Sequence, residues 1–215
     1  LKLKLKPLKN LVFHGKNGVS QKGERNASHY FSFSRMKTWG LIYLNGNEFK
    51  VDGMSWMDRE FSSSQLNEKQ VGWDWFSIKL DNQTDLMFYR IRLKSGDVEP
   101  HSSGTIILKN GKYVHLELKN FDIKSTSNWH SKTTGAIYPS AWTITVPEYN
   151  IGLKIKPDIP NQELHGLRSI AGAYWEGSVS IKGFYKGSSL ALLRAGIIHG
   201  GVFWGYETAK RLLDL

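Results

Sequence analysis

Three pairs of short alternating segments, each joined by a tight turn, constrain the fold of this chain more than any other feature. The first pair flanks Asn45-Gly46, the third flanks Asn110-Gly111, and the polar run 81–85 joins the second. Asn-Gly is the favoured two-residue hairpin turn, because both residues tolerate positive φ angles. Short strands with close turns and no intervening helices predict an antiparallel barrel or sandwich. The predicted hairpins span residues 40–53, 75–93 and 105–118.

Length and pattern together indicate two β portions followed by an atypical C-terminus. The 215 residues are enough for one large β domain or two small ones. The polar, turn-rich run 94–103 is the candidate boundary between the two portions. From Ser189 onward the β alternation stops, and residues 207–215 are good helix formers. We therefore expect a helical exception at the C-terminus.

The net charge of +10 raises the question of a nucleic-acid partner. The lysines are spread along the chain and alternate with apolar residues, as in LKLKLK at residues 1–6, which is typical of the solvent face of strands. The sequence contains no basic helix stripe and no nucleic-acid motif, so we expect no nucleic-acid partner. Weak attraction to anionic surfaces, and with it peripheral membrane association, stays open.

Cysteine and histidine usage narrows the chemistry further. The absence of cysteine excludes disulfides, thiolate metal ligands and a cysteine nucleophile. The seven histidines show none of the HxH, HxxxH or HExxH spacings, so no metal site is predicted. The sequence has neither a G-x-S-x-G elbow nor a glycine-rich phosphate loop, and we expect no cofactor.

The stretch WMDREF places two carboxylates beside large apolar side chains. Side chains alternate between the faces of a strand, so Trp56, Asp58 and Glu60 share one face. If that face is buried, desolvation raises the pKa of both carboxyls, as a general acid requires. The alternative, which the spacing alone favours, is a solvent face on which both acids pair with arginines. The candidate partners are Arg59, Arg90 and Arg92.

The stretch GWDWF sets one carboxylate between two tryptophans. Trp73 and Trp75 share a face of the predicted strand, and Asp74 takes the other. Because only residues 62–71 separate this stretch from WMDREF, we expect the two to be neighbouring antiparallel strands. The side chains expected to converge on one cavity or cleft are Asp58, Glu60, Asp74 and Trp56.

Six motifs in a fixed order carry a resemblance to a known family. They occupy residues 29–40 (HYFSFSRMKTWG), 51–61 (VDGMSWMDREF), 72–92, 129–147, 161–164 (NQEL) and 174–183 (YWEGSVSIKG). As an ordered set they resemble the AttH-type lipocalin-like family, which includes proteins described as secreted hydrolases and is related to the carotenoid 1,2-hydratases. The match runs from about His14 to Gly187.

The resemblance implies an all-β fold of two antiparallel lipocalin-like β-barrels side by side. Residues 1–97 would be the C-terminal part of a first domain that lacks its opening strands, and residues 98–187 would be the second domain. Residues 188–215 depart from the family pattern and are expected to form an atypical, partly helical segment. The resemblance also implies a periplasmic or secreted protein of the bacterial envelope.

The resemblance to the hydratases implies cofactor-free addition of water to an isolated C=C bond of a hydrophobic, isoprenoid-like molecule. A protonated carboxyl starts such a reaction, and aromatic faces stabilise the carbocation. The acid of the family's W-D-like motif corresponds to Asp74, which is the expected proton donor. The family's D-H-E-W stretch corresponds to residues 58–61. Here Arg59 replaces the histidine and Phe61 the tryptophan, and arginine cannot shuttle protons at neutral pH.

Three functions are compatible with these residues. The functions are a hydratase or hydrolase of a hydrophobic small molecule, a non-catalytic carrier of lipophilic molecules, and an incomplete structural fragment. The clustered carboxylates favour the enzyme, and Arg59 favours the carrier. The expected catalytic residues are Asp74, Asp58 and Glu60, and the expected ligand-binding residues are Trp56, Trp73, Trp75, Arg59 and Tyr89. The aromatics expected to be mainly structural are Trp129, Tyr138, Trp142, Tyr174 and Trp175.

Overall fold

The computed structural model describes residues 1–62, 66–164 and 173–184, together with the backbone of residues 192–195. Within these residues the chain forms sixteen strands, and every pairing between them is antiparallel. Two short 3₁₀ turns, Leu118–Asn120 and Pro147–Tyr149, interrupt them. The strands are β1 (Lys2–Pro7), β2 (Val12–Phe13), β3 (Val19–Gly23), β4 (Asn26–Leu44), β5 (Asn47–Phe61), β6 (Gln70–Lys79), β7 (Asp85–Leu93), β8 (Ser103–Ile107), β9 (Tyr113–Glu117), β10 (Asp122–His130), β11 (Ile137–Val146), β12 (Ile151–Pro157), β13 (Glu163–Leu164), β14 (Tyr174–Trp175), β15 (Val179–Phe184) and β16 (Leu192–Ala195).

The first sheet is organised around β4, which pairs with β1, β2, β3 and β5. β4 and β5 form the hairpin predicted at Asn45-Gly46, where the φ angles of the two residues are 48° and 81°. Leu44 pairs with Asn47 across the turn. The predicted hairpin is therefore confirmed. It could be predicted because the turn residues alone specify a two-residue connection between the strands.

The central sheet has the strand order β6-β7-β8-β9. Its hairpins β6–β7 and β8–β9 are the second and third predicted ones, and both are confirmed. The predicted boundary run 94–103 lies between β7 and the start of β8, and these strands are paired neighbours in this sheet. The division of the chain into two lipocalin-like domains at this run stays a prediction.

The third sheet has the strand order β10-β11-β12-β15-β16, and β13 pairs separately with β14. The third and central sheets share the larger hydrophobic core of the molecule. Trp142 and Trp175 are buried in this core, and Trp129 and Tyr138 pack against it, as predicted for structural aromatics. The central sheet contributes Phe76, Ile78, Leu86, Phe88 and Ile106 to the same core.

Both faces of the central sheet are buried. In β7, Leu86 and Phe88 belong to the larger core, whereas Met87 and Tyr89 belong to a smaller cluster that includes Tyr30 of β4. Successive residues of a strand point to opposite faces, so this alternation places the first sheet on one side of the central sheet and the third sheet on the other. The layer between the first and central sheets, here called the polar layer, contains the side chains of interest.

The predicted pairing of the WMDREF and GWDWF strands is wrong. β5 pairs with β4, and β6 pairs with β7. The chain passes from the first sheet to the central sheet between β5 and β6, so these sequence neighbours lie in different layers. Consecutive strands are adjacent in only about two-thirds of cases, and this connection is an exception.

The C-terminal prediction is tested only in part. The helix predicted over residues 207–215 lies outside the described residues. The backbone of Leu192–Ala195 forms β16, whose pairing with β15 sets Ile181 opposite Leu193. This portion is a strand although its sequence lacks β alternation, because pairing with β15 satisfies its backbone groups. Within the described part of the chain, no helix is long and apolar enough to cross a membrane.

Candidate functional site

The composition of β4 makes the layer between the first and central sheets polar. Ser28, Tyr30, Ser32 and Ser34 of this strand are buried, while the two phenylalanines between them are half-exposed. This reverses the usual alternation, in which apolar side chains face the core. Buried hydroxyl groups need hydrogen-bond partners, and these four find them on carboxylates of β5 and β7.

Asp58 is the focus of the polar layer. Its Oδ1 accepts hydrogen bonds from the Tyr30 hydroxyl at 3.0 Å and from the Trp56 indole nitrogen at 2.8 Å. The Ser32 hydroxyl donates to the same oxygen. Burial raises the pKa of Asp58 to about 6, and the three donors, which lower it, offset this effect only in part. The carboxyl therefore changes its protonation state close to neutral pH.

Two of the three donors to Asp58 are held in place from deeper in the layer. Trp75 Nε1 donates to the Tyr30 hydroxyl at 3.0 Å. His14 Nε2 lies 2.8 Å from the Ser32 hydroxyl oxygen. Burial lowers the pKa of His14 to about 3, so the imidazole is neutral. Desolvation likewise raises the pKa of Tyr30 well above its usual value, so its hydroxyl keeps its proton.

Glu60 forms an ion pair at the rim of the polar layer. Its Oε1 accepts a hydrogen bond from the Ser28 hydroxyl at 2.5 Å and lies 2.7 Å from Lys22 Nζ. The Lys22 ammonium group also lies 4.2 Å from the centroid of the Tyr89 ring, which is a cation–π geometry. Because 33% of the Glu60 side chain is exposed, this residue marks the edge at which the layer meets solvent.

A second charged group surrounds the fully buried Asp85. Its carboxylate lies 2.9 Å from Lys9 Nζ and 2.6 Å from Arg35 Nη2. Burial lowers the pKa of Lys79 to about 8, and the charge of Asp85 opposes that shift. Lys79 Nζ lies 5.8 Å from the centroid of the Trp56 ring. Among the residues that the structure describes, no three His, Cys, Asp or Glu side chains are arranged to hold a metal ion.

Asp74 lies on the other face of the central sheet. It shares that face with Phe76 of the larger core and forms an ion pair with Arg92. Its Oδ2 is buried without a hydrogen-bond partner among the described residues, and burial raises its pKa while the nearby arginines lower it. The structure thus brings Asp58 and Glu60 together and places Asp74 in the opposite layer. The predicted catalytic roles of all three acids stay predictions.

The aromatic residues predicted to bind ligand gather on the side of the polar layer. Trp75 and Tyr89 are buried in the smaller hydrophobic cluster, and Trp56 and Trp73, both half-buried, pack against it. Arg59 lies on the opposite, exposed face of β5. The structure therefore separates this arginine from the four aromatic rings, and the binding roles of all five residues stay predictions.

The chain that carries this site matches a known protein family. A family model described as AttH-like matches residues 1–194. The chain belongs to the AttH-like family. The expected family and the antiparallel, lipocalin-like all-β fold class are both confirmed.

Individual relatives of this AttH-like protein are longer than the chain. Dehydratase asqC of Emericella nidulans is 23% identical over 187 residues, which cover 82% of this chain and 51% of that protein. The crystal structure of an AttH protein from Nitrosomonas europaea matches with a TM-score of 0.81 and 30% identity, covering 92% of this chain and 60% of that one. Kievitone hydratase from Nectria haematococca shares the fold, with a TM-score of 0.72, 17% identity, and 91% and 59% of the two chains covered. The chain spans about half the length of the curated relative it matches.

Sequence reasoning missed several residues of the site in this AttH-like protein. His14, Tyr30, Ser32 and Lys79 all lie close to Asp58, and none was selected from the sequence. A signal for two of them was present in HYFSFSR, where small polar residues alternate with aromatics. That alternation shows that one face of the strand is polar, but it does not show whether the polar face points to solvent or to the interior.

Proposed function

We propose that this protein is an acid–base enzyme that adds water to, or removes water from, an unsaturated hydrophobic molecule, with Asp58 as the proton-transferring carboxyl. The observation that carries the proposal is the position of the Asp58 carboxyl, which accepts hydrogen bonds from Tyr30, Ser32 and Trp56 on one oxygen. Burial there raises its pKa to about 6. A general acid or base works best when its pKa lies near the working pH. Among the described residues, all hydrogen-bond donors to Asp58 end on Oδ1, which leaves Oδ2 for a substrate.

Hydration would begin with Asp58 in its protonated form. The proton moves to one carbon of the C=C bond as the π electrons form the new C–H bond, and the neighbouring carbon becomes cationic. A water oxygen then bonds to that carbon and gives one proton back to the carboxylate. One water is added and Asp58 is regenerated, so atoms and charge balance. Dehydration follows the same steps in reverse.

The aromatic side chains suit both the cation and a hydrophobic substrate. Trp56 and Trp73 are half-buried against the smaller hydrophobic cluster, and the face of an aromatic ring attracts positive charge. Their apolar surface favours an isoprenoid-like ligand over a polar one. Glu60, paired with Lys22 at the solvent edge, is the candidate that orients the attacking water.

The partners of the two aspartates favour Asp58 over Asp74 as the proton donor. Asp74 forms an ion pair with Arg92, and a neighbouring cation favours the ionised carboxylate. Asp58 accepts its hydrogen bonds from two hydroxyl groups and an indole, which are neutral. Donors without a charge stabilise the ionised carboxylate less than a directly paired arginine does, so Asp58 keeps a proton to a higher pH.

The relatives support the class of reaction. One of them is named a dehydratase, and another with the same fold is named a hydratase. Addition and removal of water are one reaction in opposite directions. The chain covers 51% of the dehydratase, so the activity of that whole protein is carried over here as a proposal. A periplasmic or secreted location is likewise a proposal, and it rests on the family resemblance.

The test compares Asp58→Asn with Asp74→Asn. Each variant is assayed for water addition to acyclic terpenoid alkenes and for binding of a hydrophobic fluorescent probe. We expect Asp58→Asn to bind the probe within about twofold of the parent and to lose at least roughly 100-fold in kcat/KM, which is the usual contribution of a general acid. Asp74→Asn should keep more activity than Asp58→Asn. The reverse order would return the proton donor to Asp74 and contradict this assignment.

A second candidate function is a non-catalytic carrier of lipophilic molecules, and Arg59 favours it. Arginine stands where the family resemblance places a histidine, and its guanidinium group does not exchange protons at neutral pH. In a carrier, Asp58 and Glu60 would fix the polar end of an otherwise apolar ligand. Probe binding by the parent protein without turnover of any terpenoid alkene would favour this alternative.

A further inference from the structure

Both hydroxyl groups that donate to Asp58 are approached by a nitrogen from deeper in the polar layer. Trp75 Nε1 lies 3.0 Å from the Tyr30 hydroxyl, and His14 Nε2 lies 2.8 Å from the Ser32 hydroxyl. Tyr30 and Ser32 in turn donate to Asp58 Oδ1. Two chains of hydrogen bonds with the same form therefore end on one carboxylate oxygen.

The number of protons in each chain fixes its direction. An indole nitrogen can only donate, so Tyr30 accepts from Trp75 and keeps its own proton for the carboxylate. A serine hydroxyl also has a single proton, and Ser32 uses it on Asp58. The nitrogen of His14 that contacts Ser32 must then be a donor, as the indole nitrogen is in the other chain.

We propose that His14, fixed as its Nε2–H tautomer, is a positioning residue that holds the Ser32 proton on Asp58. Neutral imidazole carries one N–H group, so Nδ1 is an acceptor in this tautomer. The Thr105 hydroxyl lies 2.9 Å from Nδ1. A hydroxyl can donate to an unprotonated nitrogen, so this contact is compatible with the Nε2–H tautomer that the Ser32 contact requires. The opposite tautomer would draw the Ser32 proton toward the imidazole and leave Asp58 with two donors.

The surroundings of His14 suit a permanent, neutral orienting group. The imidazole is fully buried, and its ring centroid lies 4.3 Å from that of Tyr30. Burial and the nearby Lys22 ammonium group both oppose a positive charge on the imidazole. The titratable groups that face His14 are Tyr30, Lys22 and His115, and those that face Asp58 are Tyr30, Glu60 and Lys79.

The consequence is an Asp58 carboxyl that is easier to ionise than burial alone would allow. A hydrogen bond to the ionised form favours that form, and a donor held in one direction contributes more than one free to rotate. For catalysis the inference rests on the proposed function, in which His14 would set the pH range where Asp58 regains its proton. The hydrogen-bond direction itself can be measured without any substrate.

Nitrogen-15 NMR of the wild-type protein tests the tautomer. At pH 8 we expect the Nε2 resonance of His14 to be that of a protonated nitrogen and the Nδ1 resonance that of an unprotonated one. A protonated Nδ1 would overturn the inference. The other six histidines of the chain are assigned by single substitution, so that the His14 signals are identified without ambiguity.

Three variants test the effect on Asp58, whose pKa is followed through the carbon-13 shift of its carboxyl. Ser32→Ala should raise this pKa by roughly one unit, because a hydrogen bond to a charged group is lost. His14→Phe should raise it by roughly half as much. His14→Gln, whose amide nitrogen can still donate to Ser32, should bring the Asp58 pKa most of the way back to its wild-type value. No change in His14→Phe, or an equal change in His14→Gln, would contradict the positioning role.

Thr105→Val keeps the imidazole and tests the same inference if His14→Phe does not fold. Without the Thr105 hydroxyl, we expect a mixture of the two His14 tautomers and a smaller rise of the Asp58 pKa. A pure Nε2–H tautomer together with an unchanged Asp58 pKa would show that Thr105 does not select it. If the NMR results hold while the parent protein turns over no terpenoid alkene, the proposed function fails and the positioning role of His14 stands.

Discussion

The face of the central sheet that meets the third sheet carries most of the large apolar core, with the Asp74–Arg92 ion pair on the same face. The face that meets the first sheet combines a smaller hydrophobic cluster with most of the buried hydrogen-bonded polar groups. On the apolar side lie Leu86, Phe88 and Ile106, all nearly or fully buried. On the polar side lie Asp85, which contacts two cations, and Thr105, which contacts a neutral histidine. A shift of one residue along β7 or β8 passes from one environment to the other.

The apolar side of the central sheet contributes most to the free energy of folding, whereas the polar layer contributes the candidate reactive groups. Apolar burial is non-directional and favourable, at roughly 25 cal/mol for each Å² removed from water. Buried polar groups contribute little net stability even when every partner is in place, and they cost several kcal/mol when one partner is removed. In the polar layer, burial raises the pKa of the Asp58 carboxyl to about 6. The two faces should therefore respond differently to substitution and to pH.

The largest expected effect is on the apolar face, at Phe88. Its ring packs on that of Phe121 at 4.9 Å between centroids, and a methyl group on Gly104 would lie 2.4 Å from its Cδ1. Phe88→Ala should lower the free energy of unfolding by about 4 kcal/mol, by the same amount at pH 5 and pH 8. Urea denaturation measures this loss of stability. The matched control is Met87→Ala on the polar side, for which we expect a loss of about 3 kcal/mol. A loss below about 1 kcal/mol would show that the apolar side is not the main core.

On the polar face, Asp85→Asn should have the next largest effect. The substitution leaves Lys9 and Arg35 beside a neutral amide, and an uncompensated buried charge is costly. We expect a loss of about 3 kcal/mol in the free energy of unfolding. Adding Lys9→Met should recover part of it, because one buried cation is then removed. Full stability of the single variant would mean that the charges around Asp85 are solvated.

The hairpins were predictable from sequence because their specification is local. Asn45-Gly46 forms the first turn with both φ angles positive, as a two-residue turn requires. The third turn also contains its Asn-Gly pair, but it is longer and only Gly111 has a positive φ angle. The assembly of the hairpins into sheets was not predictable in the same way. β5 and β6 are consecutive but lie in different layers, and only long-range contacts such as that of Asp85 with Lys9 determine which layers meet.

The candidate site was predictable in its residue types and not in its orientation. The alternation of side chains along a strand correctly predicted that Trp56, Asp58 and Glu60 share one face of β5. That this face points into the molecule is decided by tertiary contacts, which the alternation does not show. His14 could not be selected because its partners, Ser32 and Thr105, are distant in the sequence or unremarkable by type. The inward serines of β4 show that a polar alternation can face the interior.

Asp58→Asn should change how stability depends on pH. Because the folded pKa of Asp58 is raised to about 6, the folded protein binds a proton more tightly than the unfolded chain. Stability therefore falls as pH rises from the unfolded pKa of about 4 to the folded pKa of about 6, and the full cost remains above it. The variant should thus be more stable than the parent by about 2 kcal/mol at pH 8, a figure reduced for the partial exposure of the site. The difference should shrink toward zero near pH 4.

Paired denaturation curves of the parent and Asp58→Asn from pH 4 to pH 8 measure this difference. The low pKa of His14 acts with the opposite sign, since a neutral buried imidazole loses stability as pH falls below about 6.5. That contribution is common to both proteins and cancels in their difference. A parent that gains stability relative to the variant as pH rises would show that Asp58 is stabilised, not destabilised, as a carboxylate.

The smallest effect is expected at Arg59, which shares a strand with Asp58 and points the other way. Arg59 is exposed on the outer face of β5, and surface substitutions of this kind usually change stability by less than about 0.5 kcal/mol. Arg59→Gln should therefore leave both the free energy of unfolding and the Asp58 pKa unchanged, in contrast to every inward substitution on the polar layer. Denaturation and the carboxyl NMR titration measure the two quantities on the same sample. A shift of the Asp58 pKa in Arg59→Gln would mean that the exposed face of β5 belongs to the site, and the division between the two faces of this strand would have to be redrawn.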